Sequence, residues 1–234
     1  GGGGLLLAKG RRGRAKVLVS GGGRGNVTHA CFDPALLVQH YPRGGKALRG
    51  PFSRFQPRDT EAWFEQRGVR LKTEEDGRMF PVTDSSETIA NCLRRAAEQA
   101  DVDVWTEVDV VSFSREDGGF ALALADGKLI SCRRVLLATG INVQGHHWAR
   151  ALGHKIQPPV PSLFTFTVPS DPRLTGLAGI SVANARIAMI GTSLAQTGPL
   201  LVTHWGLSGP AVLKLSAWGA RAFHEAGYKA RLEV

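Results

Sequence analysis

The stretch Val19-Ser20-Gly21-Gly22-Gly23-Arg24-Gly25-Asn26-Val27-Thr28 constrains this chain more than any other. Positions 21, 22, 23 and 25 are glycine. Glycine has no side chain to pack and loses more backbone entropy on ordering than any other residue. A globular chain accepts that cost where its backbone turns through positive φ or lies against a ligand. The neighbours suit the second use. Ser20, Asn26 and Thr28 can donate hydrogen bonds, and Arg24 offers a planar fork for phosphate oxygens. Successive amides in such a loop can also form an anion-binding concavity. The alternative is a flexible turn between two strands; the polar residues crowded around the glycines favour a ligand loop.

At 234 residues the chain has room for one large domain or two small ones. No apolar run reaches the ~18–20 residues needed to cross a bilayer. The first residues lack the pattern of a signal peptide, and the absence of a starting Met reads as a fragment or a processed chain. Cys31, Cys92 and Cys132 are far apart and in no C-x-x-C spacing. That argues against a disulfide scaffold or zinc site and for a reducing compartment, so the expected location is cytoplasmic. The net charge is +9. Part of the excess is local, in Lys9, Arg11, Arg12, Arg14 and Lys16, a run that reads as a solvated segment or an attractor for a phosphorylated partner.

Periodicity and punctuation predict the elements. Residues 5–8 read as a short strand that needs neighbours. Residues 29–58, rich in Pro and Gly, read as mostly loop with a short helix near 34–39. A helix is expected over 59–67, capped by Asp59 or Thr60 and ended by Gly68. Residues 69–72 and 79–82 form a hairpin around Asp76-Gly77. The clearest helix is 84–100, with Asp84 as cap and Ile89, Leu93, Ala96, Ala97 and Ala100 as its apolar stripe. Strands follow at 102–105, 108–113 and 120–124, with turns at 117–119 and 126–127. Val135-Leu136-Leu137-Ala138 reads as a strand buried on both faces of a layered α/β protein. It ends in Thr139-Gly140, where a strand's carboxyl edge meets a ligand. Beyond Pro158-Pro159 the chain turns β-rich: 163–168 and 186–190 alternate, with Pro169 and Pro172 breaking the chain between them. Ser208-Gly209-Pro210 opens a helix over 211–222, and 228–234 alternates as a last strand. A domain boundary falls near residue 158.

With these residues in view, Lys16-Val17-Leu18-Val19-Ser20-Gly21-Gly22-Gly23-Arg24, continued by Asn26-Val27-Thr28, resembles the K-L-L-I-S-G-G-G-R-C-N-V-T-N signature of a family of FAD-binding oxidoreductases. These bacterial flavoproteins include the BaiN-type NAD(P)/FAD-dependent enzymes and the aminoacetone oxidases. Leu71-Lys72-Thr73-Glu74 with Gly77-Arg78-Met79-Phe80-Pro81-Val82-Thr83-Asp84 is similar to its K-T-E-x-x-G-R-x-F-P-x-S-D. Residues 136–140, 148–154, 161–163 and 203–210 also match in order. The resemblance implies a Rossmann-type FAD-binding α/β domain over 1–158, incomplete, and a partial β-rich insertion domain over 159–234. It implies that Ser20, Gly21, Gly22, Gly23, Arg24 and Asn26 line the flavin. By the same likeness the Val108 backbone meets the adenine end, and Thr139 and Gly140 close over the cofactor. FAD would carry the hydride chemistry, with NAD(P)H or an organic substrate as electron source.

The departures are specific. No strand, G-x-G-x-x-G turn and helix precede Leu5 here, and Ala8-Lys9-Gly10 stands where an acidic residue would hold the ribose hydroxyls. Gly25 replaces the signature Cys, residues 141–147 replace a longer loop, and the C-terminal return to the sheet is not reached by Val234. The sequence therefore reads as a truncated member of the family acting on a small-molecule substrate, with an inactive fragment as the alternative.

Three rival readings compete with this one. A nucleic-acid-binding module using the basic N-terminus and Arg24 would need aromatic residues among the charges, and residues 5–31 contain none, so no nucleic-acid partner is expected. A metal site at His146, His147 and His154 fails because neighbouring histidines on a strand face opposite ways and no acid completes the set. Ser208 and His204 lack a G-x-S-x-G elbow, and Ser208 reads as a helix cap. His204, an imidazole in a matched motif, is the one candidate acid or base. Trp63, Phe64 and Trp218 read as core. The residues single out no substrate, no choice between NADH and NADPH, no oligomeric state and no membrane association.

Overall fold

The computed structural model describes residues 3–11, 15–169 and 171–234. Arg12 and Arg14 of the basic run lie outside the described residues. Two compact units divide the chain, Gly1–Ile156 and Gln157–Val234.

The first unit runs β1 (Gly4–Ala8), α1 (Ala15–Val19), β2 (Thr28–His29), α2 (Pro34–Leu37), α3 (Gly45–Phe52), α4 (Pro57–Glu65), β3 (Leu71–Thr73), β4 (Arg78–Pro81), α5 (Ser86–Gln99), β5 (Val102–Thr106), β6 (Val110–Glu116), β7 (Gly119–Leu124), β8 (Leu129–Cys132) and α6 (Val143–Ala151). The short apolar β1 finds its ladder in β5, parallel, with Leu6 opposite Val104. Parallel neighbours need a crossover, and α5 enters β5 directly and contacts both β5 and α1. The β3–β4 hairpin extends to β2 as an antiparallel three-stranded sheet, and β6–β7–β8 form a second. Phe64, Val69, Ile89 and Cys92 make a buried cluster, with Val17 and Val27 packed against it. Those two residues flank the glycine run, so both of its ends are anchored in the core.

Several expectations for this unit are corrected. Residues 34–52 are largely helical rather than loop, because Pro34 and Pro57 begin helices, where their missing N–H costs nothing. Gln56 takes the N-cap position of α4. Asp59 serves as its third residue, accepting the Gln56 N–H at 2.8 Å. Ser85, not Asp84, precedes α5, and Asp84 sits at φ +51 with its carboxylate turned to cations. The buried face of α5 is Ser86, Ile89, Ala90 and Cys92, while Leu93 is exposed. Residues 135–138 form no strand and Leu136 is 90% exposed, since no described strand offers them a ladder. His146 and His147 lie on α6 rather than on a strand.

The second unit contains β9 (Phe166–Thr167), β10 (Ser181–Met189), β11 (Ala195–Thr203), β12 (Gly206–Ser208), α7 (Pro210–Trp218), α8 (Ala220–Glu225) and β13 (Leu232–Glu233). Its strands form one antiparallel sheet in the order β13-β10-β11-β12-β9. The core joins Ile187, Leu200, Val202 and Leu207 from the strands to Val212, Leu215 and Phe223 from the helices. Buried Ser216 is satisfied twice, donating to the Leu213 carbonyl at 2.9 Å and accepting the Phe164 N–H at 3.0 Å. The helix expected over 211–222 breaks at Gly219, Ser208 lies in β12 with Gly209 as the N-cap of α7, and Trp218 is 41% exposed rather than core. The strand segments expected at 163–168 and 228–234 shrink to two paired residues each.

Candidate functional site

From Ser20 the chain makes one 3-10 turn in which Gly21 and Gly22 are left-handed, at φ 59° and 69°, followed by Gly23 at 88° and Gly25 at 79°. A run of this kind is strained for residues with a Cβ. Gly25 N–H donates to the Ser20 carbonyl at 2.9 Å, and the Ser20 hydroxyl donates to the Asn26 carbonyl at 3.1 Å. The two faces of the loop differ. A Cβ on Gly21 would strike the Phe80 ring at 2.7 Å, and one on Gly25 would lie 2.9 Å from the Ser86 Cα. On Gly22 or Gly23 it would meet no atom within 4 Å. The loop is thus pressed onto β4 and α5 on one side and open on the other.

Side chains far apart in sequence hold it there. Phe80 is fully buried, and the Arg24 guanidinium covers its ring at 4.1 Å. The same guanidinium donates to Glu74 and, at 2.7 and 3.0 Å, to Asp84. Lys72 reaches the other Asp84 oxygen, and Arg78 reaches Asp76 at 2.6 Å and Glu74 at 3.5 Å. Hydrogen bonding to Arg24 holds the Glu74 carboxyl below its usual range. Asp84 is lowered first by Lys72 and then by Arg24, and Arg24 in turn is held still more firmly protonated by Glu74 and Asp84. Arg24 is therefore a clamp on the loop, not the free phosphate fork the sequence offered. Buried Ser86 adds a further tie, donating to the Leu18 carbonyl at 2.7 Å.

The other predicted residues fall in three places. Gly140 is brought to α1, where a Cβ on it would lie 3.0 Å from Lys16 Nζ, one turn before Ser20; Thr139 packs its hydroxyl over Gly145. Lys16 makes no ion pair among the described residues. Val108 is half-buried at the carboxyl end of β1, its N–H donating to the Ala8 carbonyl at 3.1 Å. No described hydrogen bond or ring contact joins Val108 to the loop. Around it Lys9 pairs with Asp109 at 2.8 Å and Arg11 with Glu107 at 3.1 Å, so this part of the basic run is already partnered. His204 belongs to the second unit, exposed on the β11–β12 turn with its ring edge-on to Trp205.

A cavity of about 370 Å³ opens beside Asn26, between β2, the start of α4 and the segment around α3. Its wall includes His29, Tyr41, Phe52, Phe55 and Gln56. No sequence signal assembles it, because its walls come from residues up to 52 positions apart, from Asn26 to Arg78. The clamp leaves only a trace in the sequence: its acids, Glu74 and Asp84, lie in family-like segments 50 and 60 residues from Arg24, and nothing local pairs them with it. Among the described residues, no three His, Cys, Asp or Glu gather as a metal site, and no helix is long and apolar enough to cross a membrane.

A parallel strand pair, a helical crossover that carries the glycine loop and an antiparallel β-rich unit make a mixed α/β, Rossmann-like fold with a β-rich insertion. The chain belongs to the HI0933-like family, whose Rossmann domain matches residues 3–215, a family of FAD-binding oxidoreductases. It is 30% identical over 224 residues to a ribosomal RNA dihydrouridine synthase of Escherichia coli K12, covering 92% of this chain and 54% of that protein. It is 26% identical over 220 residues to a 3-dehydro-bile acid delta(4,6)-reductase of Clostridium scindens, covering 90% and 52%. A ribosomal RNA dihydrouridine synthase of Haemophilus influenzae matches at 29% over 213 residues, covering 86% and 52%. The chain spans about half the length of these curated relatives. A solved structure from a study of BexE and oxidation in BE-7585A biosynthesis aligns at TM-score 0.40 and 12% identity over 89% of this chain and 40% of the other, too loose to bear on function.

Proposed function

We propose that this chain is the flavin-side part of an FAD-dependent reductase, and that the open face of Gly22 and Gly23 is where the flavin lies. The observation that carries the reading is the asymmetry of the loop: clamped below by Phe80, Arg24 and Ser86, and free above of any atom a Cβ would meet. Such a surface fits a planar group approached by main-chain amides. FAD, when bound, supplies the hydride transfer. The chain's own part is to present the Gly22 and Gly23 amides and the exposed Asn26 side chain. Arg24, neutralised by two carboxylates, keeps the loop in place. Lys16 beside Gly140 is the nearby cation left for a phosphate, and Thr139 with Gly140 borders the same side. Val108 remains the proposed neighbour of the adenine end, and His204 the proposed proton donor.

The relatives' names, dihydrouridine synthase and delta(4,6)-reductase, describe saturation of a carbon–carbon double bond. We take the same reaction class for this chain, with NAD(P)H as electron donor. The expectation of no nucleic-acid partner is withdrawn, since ribosomal RNA stands in two of those names. The test is a visible spectrum of the purified chain after incubation with FAD and gel filtration. A bound flavin band that bleaches with NADH or NADPH is expected; FAD eluting wholly free of the protein would overturn the reading.

A further inference from the structure

Two parts of the first unit are unsatisfied in complementary ways. The first is β5, which pairs with β1 along one edge and has no described strand along the other. Its residues 103–106 are exposed, Val104 at 49% and Trp105 at 40%. An open edge of this kind recruits another strand unless charge guards it. The guard here is acidic and sits at one end. Asp101 and Asp103 are both exposed, and neither carboxylate makes an ion pair among the described residues.

The second part is the segment Arg133-Arg134-Val135-Leu136-Leu137-Ala138. It has the apolarity of a strand, yet none of its residues makes a hydrogen bond among the described residues. Leu136 is 90% exposed, and both arginines are exposed without an ion pair among the described residues. The segment is tied at both ends: Cys132 pairs with Phe120 across β8 and β7, and the Thr139 hydroxyl packs over Gly145. Its backbone groups and its leucine are thus displayed to water with nothing to pair with.

We infer that residues 133–138 of one copy of this chain add to the open edge of β5 in a second copy, parallel to it. With Leu136 placed opposite Val104, Leu137 falls opposite Trp105 and Arg133 opposite Asp101, with Asp103 diagonal to it. The charges select both occupant and direction. A neutral or acidic strand would leave Asp101 and Asp103 unanswered, whereas this segment leads with two arginines. Antiparallel addition would carry those arginines toward Glu107, which Arg11 already holds at 3.1 Å. Each copy carries one edge and one segment, so the contact runs head to tail or closes as a reciprocal pair. It draws on no residue assigned to the flavin.

The test is sedimentation velocity of the full chain over a concentration series, at low and at high salt. Reversible association that weakens with salt is expected, since the Arg–Asp contacts are near the surface. Leu136→Asp should weaken it by about tenfold or more, the worth of one buried leucine, with the thermal midpoint unchanged because nothing packs on that side chain. Leu129→Asp replaces another exposed leucine, 78% accessible and outside both stretches, and should leave association as it is. Arg133→Glu and Asp103→Lys should each weaken association about threefold, and the double variant should recover to within about twofold of wild type. A chain that is monomeric at every concentration would overturn the inference. So would association that survives Leu136→Asp, that falls equally with Leu129→Asp, or that the double variant fails to restore.

Discussion

Arg24 shows how one residue can be read rightly as important and wrongly as to its task. Its guanidinium serves an aromatic face and, through Nε and Nη2, two carboxylates at once, so its charge is already matched where a phosphate would need it. The clamp is also the most acid-sensitive part of the loop. Glu74 and Asp84 have depressed folded-state values, led by Arg24 for the first and Lys72 for the second. A depressed carboxylate stabilises the fold at pH above its unfolded value, about 3.9 for Asp and 4.3 for Glu. That contribution is lost as pH falls through the lower folded-state value. Asp84→Asn removes the charge at a left-handed position that Asn tolerates. The melting temperatures of wild type and variant should differ by a constant few degrees above about pH 5. The gap should close as the solution is acidified below the usual carboxylate range; a gap independent of pH would show that the clamp contributes nothing electrostatic.

Among the elements, the β-rich unit rests on α7 lying across its sheet. Leu215 is fully buried there between β10, β11 and Phe223, whereas Trp218, one turn on, is 41% exposed. Leu215→Ala should cost about 2–5 kcal/mol, and Trp218→Ala nearer about 1 kcal/mol, read by urea unfolding. The reverse order would mean that the helix face is misassigned. Element by element, the sequence was readable where punctuation is local. Gly68 at φ 77° and Gly77 at 83° close α4 and the β3–β4 hairpin where composition placed them. It was misleading where one residue type serves two ends. Asp84 has the chemistry of a cap, and only the distant Arg24 and Lys72 decide that it is not one. The Pro- and Gly-rich composition of residues 29–58 reads as mostly loop, yet Pro57, like Pro34, starts a helix. Residues 135–138 have the apolarity of a buried strand, but apolarity states a demand for a partner ladder and cannot show that one is present.

At the scale of the molecule, the glycine loop was legible because its constraint is written in consecutive residues. The cavity was not, because His29 and Gln56 meet only through the fold. The parallel pair β1–β5 leaves Leu5, Leu6, Val104 and Trp105 substantially exposed. Parallel sheets in Rossmann-type proteins bury both faces, and the chain spans only about half of its curated relatives. The flavin proposal therefore has to be tested at the loop itself and separated from general stability. Gly22 and Gly68 make the comparison: both are left-handed, at φ 69° and 77°, and neither has an atom within 4 Å of a built Cβ. Alanine at either should strain the backbone alike, but only Gly22 faces the proposed cofactor. In a titration of FAD followed by quenching of its fluorescence, Gly22→Ala should weaken binding by about tenfold or more, while Gly68→Ala leaves it within about twofold of wild type. Equal affinity in the two variants would contradict the placement of the flavin on the glycine loop.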